Sequence, residues 1–111
     1  MRLPSLRLTW PLAAALGIAC ADPGGTAQLA EGFVTVENDF FDPTNVAIGV
    51  GGTVTWTVGG GPHTVTFTAG AAPPDCGALT AQTCVRTFPN RGTFDYGCEF
   101  HAAMIGTVRV D

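Results

Sequence analysis

Lysine is absent from this chain, and of its five arginines two, Arg2 and Arg7, fall at the N-terminus. From Cys20 onward only Arg86, Arg91 and Arg109 stand against nine aspartates and glutamates. So few cations cannot collect phosphates, which argues against nucleic acid and against electrostatic adsorption to anionic lipid. The same balance favours a basic partner. Histidine is scarce too, with only His63 and His101. Neither follows a Cys-x-x-Cys pair, which excludes covalent haem attachment. There is no internal repeat, and the apolar run near the N-terminus is too short to span a bilayer.

What is present points to strands. The 111 residues include 15 glycines and 8 prolines, with abundant valine and threonine, a composition of many short strands and turns. The length suits one domain. Residues 1–19 combine a basic start, an apolar middle (residues 12–18) and small residues around Cys20, the pattern of a bacterial export signal. Pro4 and Pro11 disfavour the alternative of a small core helix. Two cleavage patterns fit. Leu16-Gly17-Ile18-Ala19-Cys20 resembles a lipoprotein signal, with Cys20 acylated as the new N-terminus, although Gly17 stands where that motif usually has leucine. An Ala-x-Ala cut after Ala21 would instead discard Cys20. The expected organisation is an export signal of lipoprotein type over 1–20, a flexible tether over 21–31 and one domain over 32–111.

Within that domain the apolar residues alternate. Residues 33–36, 46–50, 53–58, 64–68, 84–88, 93–97 and 105–110 read as about seven strands joined by Gly/Pro-rich turns, the pattern of an all-β, two-sheet Greek-key β-sandwich. Val54, Trp56 and Val58 share one face of their strand, and His63, Val65 and Phe67 the inward face of the next. Phe40 and Phe41 are expected to plug one end of the core. Tyr96 is a candidate corner tyrosine, and residues 78–82 a short helical turn.

Cys98, His101 and Met104 follow one another at intervals of three residues in what reads as a short loop between two strands. Thiolate, imidazole and thioether could close on one metal ion, lacking only a fourth donor, and His63 at the entry of its strand can supply it. Two histidines, one cysteine and a more distant methionine are the set that suits copper in electron-transfer sites. Zinc suits it less, because a thioether is not among zinc's usual donors.

These residues resemble the cupredoxins, the small blue (type 1) copper proteins, and within them the short-loop plastocyanin/amicyanin-like type. The resemblance rests on Pro62-His63, on Gly92-Thr93-Phe94-Asp95-Tyr96-Gly97-Cys98, on the spacing of Cys98, His101 and Met104, and on Phe41-Asp42-Pro43 through Gly52-Thr53-Val54-Thr55-Trp56. It implies one copper ion on His63, Cys98, His101 and Met104, and a one-electron carrier that meets a redox partner protein as a monomer. Two positions depart from the family's pattern: Thr64 stands where relatives often carry asparagine, and Ala102 where short-loop relatives often carry proline. With Cys20 at the leader boundary and Cys98 on the metal, Cys76 and Cys84 remain as a disulfide pair for an oxidising compartment. Oxidation of Cys98 to one of them would leave His101 and Met104 without a purpose.

A copper storage or delivery protein would use the same ligands but must release the metal. An enzyme built on a Cys98–His101 nucleophilic pair is the third possibility. It lacks an orienting group at recognisable spacing, and the chain is short for a substrate cleft, so no enzyme is expected. The expected location is the periplasm or cell envelope, with membrane attachment through Cys20 if it is acylated.

Overall fold

The computed structural model describes residues 29–68 and 70–111. The export signal, Cys20 and most of the tether lie outside them. Among the described residues the chain forms nine strands and no helix: β1 (Glu31–Val36), β2 (Phe41–Asp42), β3 (Asn45–Ile48), β4 (Gly52–Val58), β5 (His63–Phe67), β6 (Cys76–Leu79), β7 (Thr83–Phe88), β8 (Gly92–Cys98) and β9 (His101–Val110). Two residues of the stretch assigned to the tether join the fold, the Leu29 and Ala30 carbonyls accepting from Gly49 N and Thr53 N.

The strands form a four-stranded sheet ordered β2-β1-β4-β7 and a five-stranded sheet ordered β3-β9-β8-β5-β6. β1 runs parallel to β4 and β3 to β9, while the other neighbours are antiparallel. The chain changes sheet after β2, β3, β4, β5-β6 and β7, which makes the architecture a Greek-key sandwich, as expected.

Alternation explains the core. Val54, Trp56 and Val58 are at most 2 % exposed, and the threonines between them turn outward onto a surface where β-branched residues fit well. Trp56 packs edge-on to Tyr96 and Phe67, at centroid separations of 5.3 and 6.0 Å, and Phe41 meets Tyr96 at 4.7 Å. Such aromatic pairs add about 0.5–1.5 kcal/mol each beyond the area they bury. Tyr96 lies opposite Gly106 in the β8–β9 register. A Cβ at 106 would land on the tyrosine ring, so the glycine is what lets the ring lie flat across the neighbouring strand.

The structure corrects several details. Phe41 is fully buried but Phe40 is exposed, because adjacent residues of an extended chain face opposite sides. Tyr96 is not a hydrogen-bonded corner. Its hydroxyl and Trp56 Nε1 are both buried near one another without a hydrogen bond of ordinary geometry. The helical turn over 78–82 is replaced by β6 and a bend: Cys76 and Leu79 pair with Val65 and His63, and strand pairing overrides local preference. β6 is an edge of the five-stranded sheet and β7 an edge of the four-stranded one, and the Cys76–Cys84 disulfide joins them with Cα atoms 6.4 Å apart.

Candidate metal centre

β5, β8 and β9 are neighbours in one sheet, so the start of β5, the end of β8 and the start of β9 meet at one end of the sandwich. His63, Cys98 and His101 occupy those three positions. The expected loop over 98–104 is shorter than its sequence suggested. Only Glu99 and Phe100 turn, and Cys98 pairs with His101. Gly97, however, pairs with Ile105, so residues 102–104 have no partner on β8. An irregularity of this kind re-aims side chains at a sheet end. Here it leaves Ala102 and Ala103 exposed and turns Met104 inward, where it is 1 % exposed.

Cys98 Sγ lies 3.8 Å from His63 Nδ1 and 3.6 Å from His101 Nδ1, and the donor atoms of all three residues fall within 4.8 Å of one another. Donors bound at about 2.1–2.3 Å to a shared ion in a roughly trigonal plane would lie about 3.6–3.8 Å apart. The donor spacing therefore fits one metal ion. His63 and Cys98 are buried and His101 is half-buried. Burial lowers the His63 pKa from 6.5, and His101 lowers it further while Asp39 opposes both. The net direction favours the neutral imidazole, the form with a lone pair to give.

The backbone brings these groups together partly by omission. The loop before β5 carries Gly61, where a Cβ would collide with the Leu79 carbonyl of β6. Without side chains there, β6 can close on the His63 end of β5. Asn38, Asp39, Gly61 and Pro62 line, with His63 and His101, a cleft of about 200 Å³ over the two imidazoles.

Three polar residues near the site join in a network that the sequence pattern does not reveal. Thr64, next to His63, is 3 % exposed, and its hydroxyl accepts from Glu99 N at 2.9 Å. It also lies 2.9 Å from Thr66 Oγ1, which donates to Glu99 Oε2 at 3.1 Å. Alternation alone assigns Thr64 and Thr66 to a wet face. The signal that could have found them is a carboxylate immediately after Cys98, opposite two hydroxyls on the neighbouring strand.

A Greek-key sandwich that gathers two imidazoles and a thiolate at one end is a cupredoxin, the fold of mononuclear blue-copper proteins. The chain belongs to the copper binding proteins of the plastocyanin/azurin family, whose family model matches residues 30–111. Among solved structures it is similar to a reduced amicyanin variant, at 30 % identity over 74 % of this chain and 83 % of that one, with a TM-score of 0.67. An oxidised amicyanin variant gives 29 % identity over 79 % and 88 % of the two chains, also with a TM-score of 0.67. A copper-containing nitrite reductase from Thermus scotoductus SA-01 shares the fold at 24 % identity, over 73 % of this chain but 22 % of that one, with a TM-score of 0.65. No curated protein sequence matches the chain. Family and donor set together assign it one copper ion as cofactor.

Proposed function

We propose that this protein is an exported one-electron carrier in which His63 Nδ1, Cys98 Sγ and His101 Nδ1 would hold the copper ion, with Met104 as a weaker thioether donor. The observation that carries this reading is the pair of Sγ···Nδ1 separations, 3.8 and 3.6 Å, with both ring Nδ1 atoms near one sulfur. Bound copper supplies a centre that gains and loses one electron, and two imidazoles, a thiolate and a long thioether are the ligand set of blue-copper electron transfer.

The chain supplies constancy of shape. Each of the four side chains lies in a strand of the same sheet, so the donors keep their separations whichever charge the centre carries. Burial of His63, Cys98 and Met104 keeps water from competing. Half-buried His101, beside exposed Ala102 and Ala103, offers its outer ring edge as the electron's route to a partner. The cleft beside it, about 200 Å³, is below the roughly 300–1,000 Å³ of small-molecule sites, which supports a carrier rather than an enzyme. It does give a competing chelator a path to both imidazoles, the one feature that favours a storage or delivery role. Copper retained through repeated reduction in the presence of a Cu(I) chelator supports the carrier; rapid loss supports delivery.

The Cys76–Cys84 disulfide and the leader-like N-terminus support an oxidising, envelope location, with the tether and an acylated Cys20 as the anchor. A diacylated Cys20 in the mass of the membrane-extracted protein is the expected result, whereas an N-terminus at Asp22 overturns the anchor. The site itself is tested by titrating the protein with Cu(II) under visible absorption and electron paramagnetic resonance. The expected outcome is an intense thiolate-to-copper band saturating at one equivalent and abolished in Cys98→Ser. Absence of the band in folded, disulfide-intact protein would remove the carrier reading.

A further inference from the structure

The three hydrogen bonds joining Thr64, Thr66 and Glu99 form a closed circuit, and their polarity is forced. A backbone N–H can only donate, so Glu99 N–H gives its hydrogen to Thr64 Oγ1 at 2.9 Å. An ionised carboxylate can only accept, so Thr66 gives its single hydroxyl hydrogen to Glu99 Oε2 at 3.1 Å. Thr66, having spent its hydrogen, must accept across the 2.9 Å contact with Thr64. The circuit therefore runs Glu99 N–H to Thr64 to Thr66 to the Glu99 carboxylate, starting and ending on one residue. Bonds aligned in one sense polarise one another, and the last is strengthened by the carboxylate charge.

Its place in the fold gives it a consequence. Glu99 follows Cys98 and opens the two-residue turn to His101, and Thr64 follows His63. The residues flanking two of the three clustered donors are thus tied to each other through side chains, at the end of β8 where regular register with β9 is lost. The β5–β8 ladder pairs Thr66 with Gly97 and Phe67 with Tyr96. The hydroxyls extend the attachment of the turn to β5 beyond that ladder.

We propose that Thr64, Thr66 and Glu99 are positioning residues, a polar clasp that holds the Cys98–His101 turn against β5 and sets the donor geometry before the metal arrives. The clasp also fixes a carboxylate charge on the residue next to Cys98 in the chain, held by Thr66 on the neighbouring strand, and a fixed negative charge at that end of the sandwich favours the more positive oxidised state of the bound centre. The second consequence rests on the proposed copper site; the first does not, so the two can fail separately.

The test uses the mature protein with its disulfide intact, and Thr64→Val, Thr64→Ser, Thr64→Ala and Glu99→Gln variants. In the metal-free state, amide hydrogen exchange at Glu99 should quicken about tenfold or more in Thr64→Val, the effect of one lost hydrogen bond. β1 and β4 amides should stay unchanged, and Thr64→Ser should restore protection. In the copper-loaded state Thr64→Val should shift the thiolate-to-copper band and its hyperfine splitting, again with rescue by serine, and Glu99→Gln should raise the reduction potential. Unaltered Glu99 exchange in Thr64→Val, or serine failing to rescue it, overturns the clasp. If Thr64→Val does not fold, Thr64→Ala, which removes the same acceptor from the Glu99 N–H, decides it by the same Glu99 exchange. Normal clasp behaviour in metal-free protein that takes up no copper would overturn the copper reading alone. An unchanged potential in Glu99→Gln overturns the charge effect.

Discussion

A buried tyrosine shows how one residue sets a property of the whole fold. Tyr96 is 1 % exposed, and burial pushes its pKa up to about 12 from an ordinary 10.0, against a smaller lowering by Trp56. Between those values the unfolded chain releases the phenolic proton and the folded chain keeps it. Stability is therefore complete below about pH 10 and falls as pH rises toward 12, by about 2–3 kcal/mol in all. The chain has no lysine and a single tyrosine, so no ammonium side chain or second phenol titrates in this window. Urea unfolding between pH 8 and 11.5 should show the decline, and Tyr96→Phe should flatten it; a slope that survives the substitution would assign it elsewhere. Legibility also divides at this scale. His63, Cys98 and His101 could be read as one cluster because donor chemistry is carried by residue type and spacing, and Met104 enters as a proposed donor on the same grounds. The Thr64 bond to Glu99 joins residues 35 apart in sequence and exists only once β5 and β8 are side by side.

Elements were legible where alternation persisted and illegible where it did not. The long strands announce themselves in runs such as Val54-Thr55-Trp56-Thr57-Val58. β2 has two residues and β6 four, too few for a period to emerge, and both exist because a neighbour offers a free edge. The inward turn of Met104 was hidden for a related reason, since it depends on three residues of β9 bulging without partners. β6 depends on its bond to β7 as well as on its pairing with β5. Closing so small a loop contributes about 2–3 kcal/mol in the chain-entropy model. A Cys76→Ser/Cys84→Ser double variant should lose about that much stability in urea. Its β6 amides should exchange faster, while those of β8 and β9 keep their protection. Equal stability with and without the bridge would make the disulfide incidental to the fold.

On the scale of the molecule, the sandwich separates its charges along its length. Arg91 precedes β8 and Arg109 lies near the end of β9, both remote from the turn that holds Cys98 and His101. Arg109 is occupied by Asp111 at 2.8 Å, and Arg86 donates to the Pro74 and Asp75 carbonyls on the flank. The metal end carries Asp39 in its cleft and Glu99 on its turn, around an apolar tip of Pro62, Phe100, Ala102 and Ala103. For the proposed carrier, such a surface is expected to turn its His101 end toward a basic partner at long range, with the apolar tip then allowing brief contact over the small area typical of redox encounters. Steering of this kind weakens as salt shortens the screening length to about 10 Å at 0.1 M. Ala102→Glu or Ala103→Glu places a charge where contact must exclude water. Transfer to the partner should slow about tenfold or more, while the visible spectrum stays as it was because neither alanine is a proposed copper ligand. If both variants exchange electrons at the original rate, the partner does not dock on this tip. The electron would then have to leave the buried centre by a longer path through the sandwich, where Trp56 and Tyr96 are the side chains to replace next.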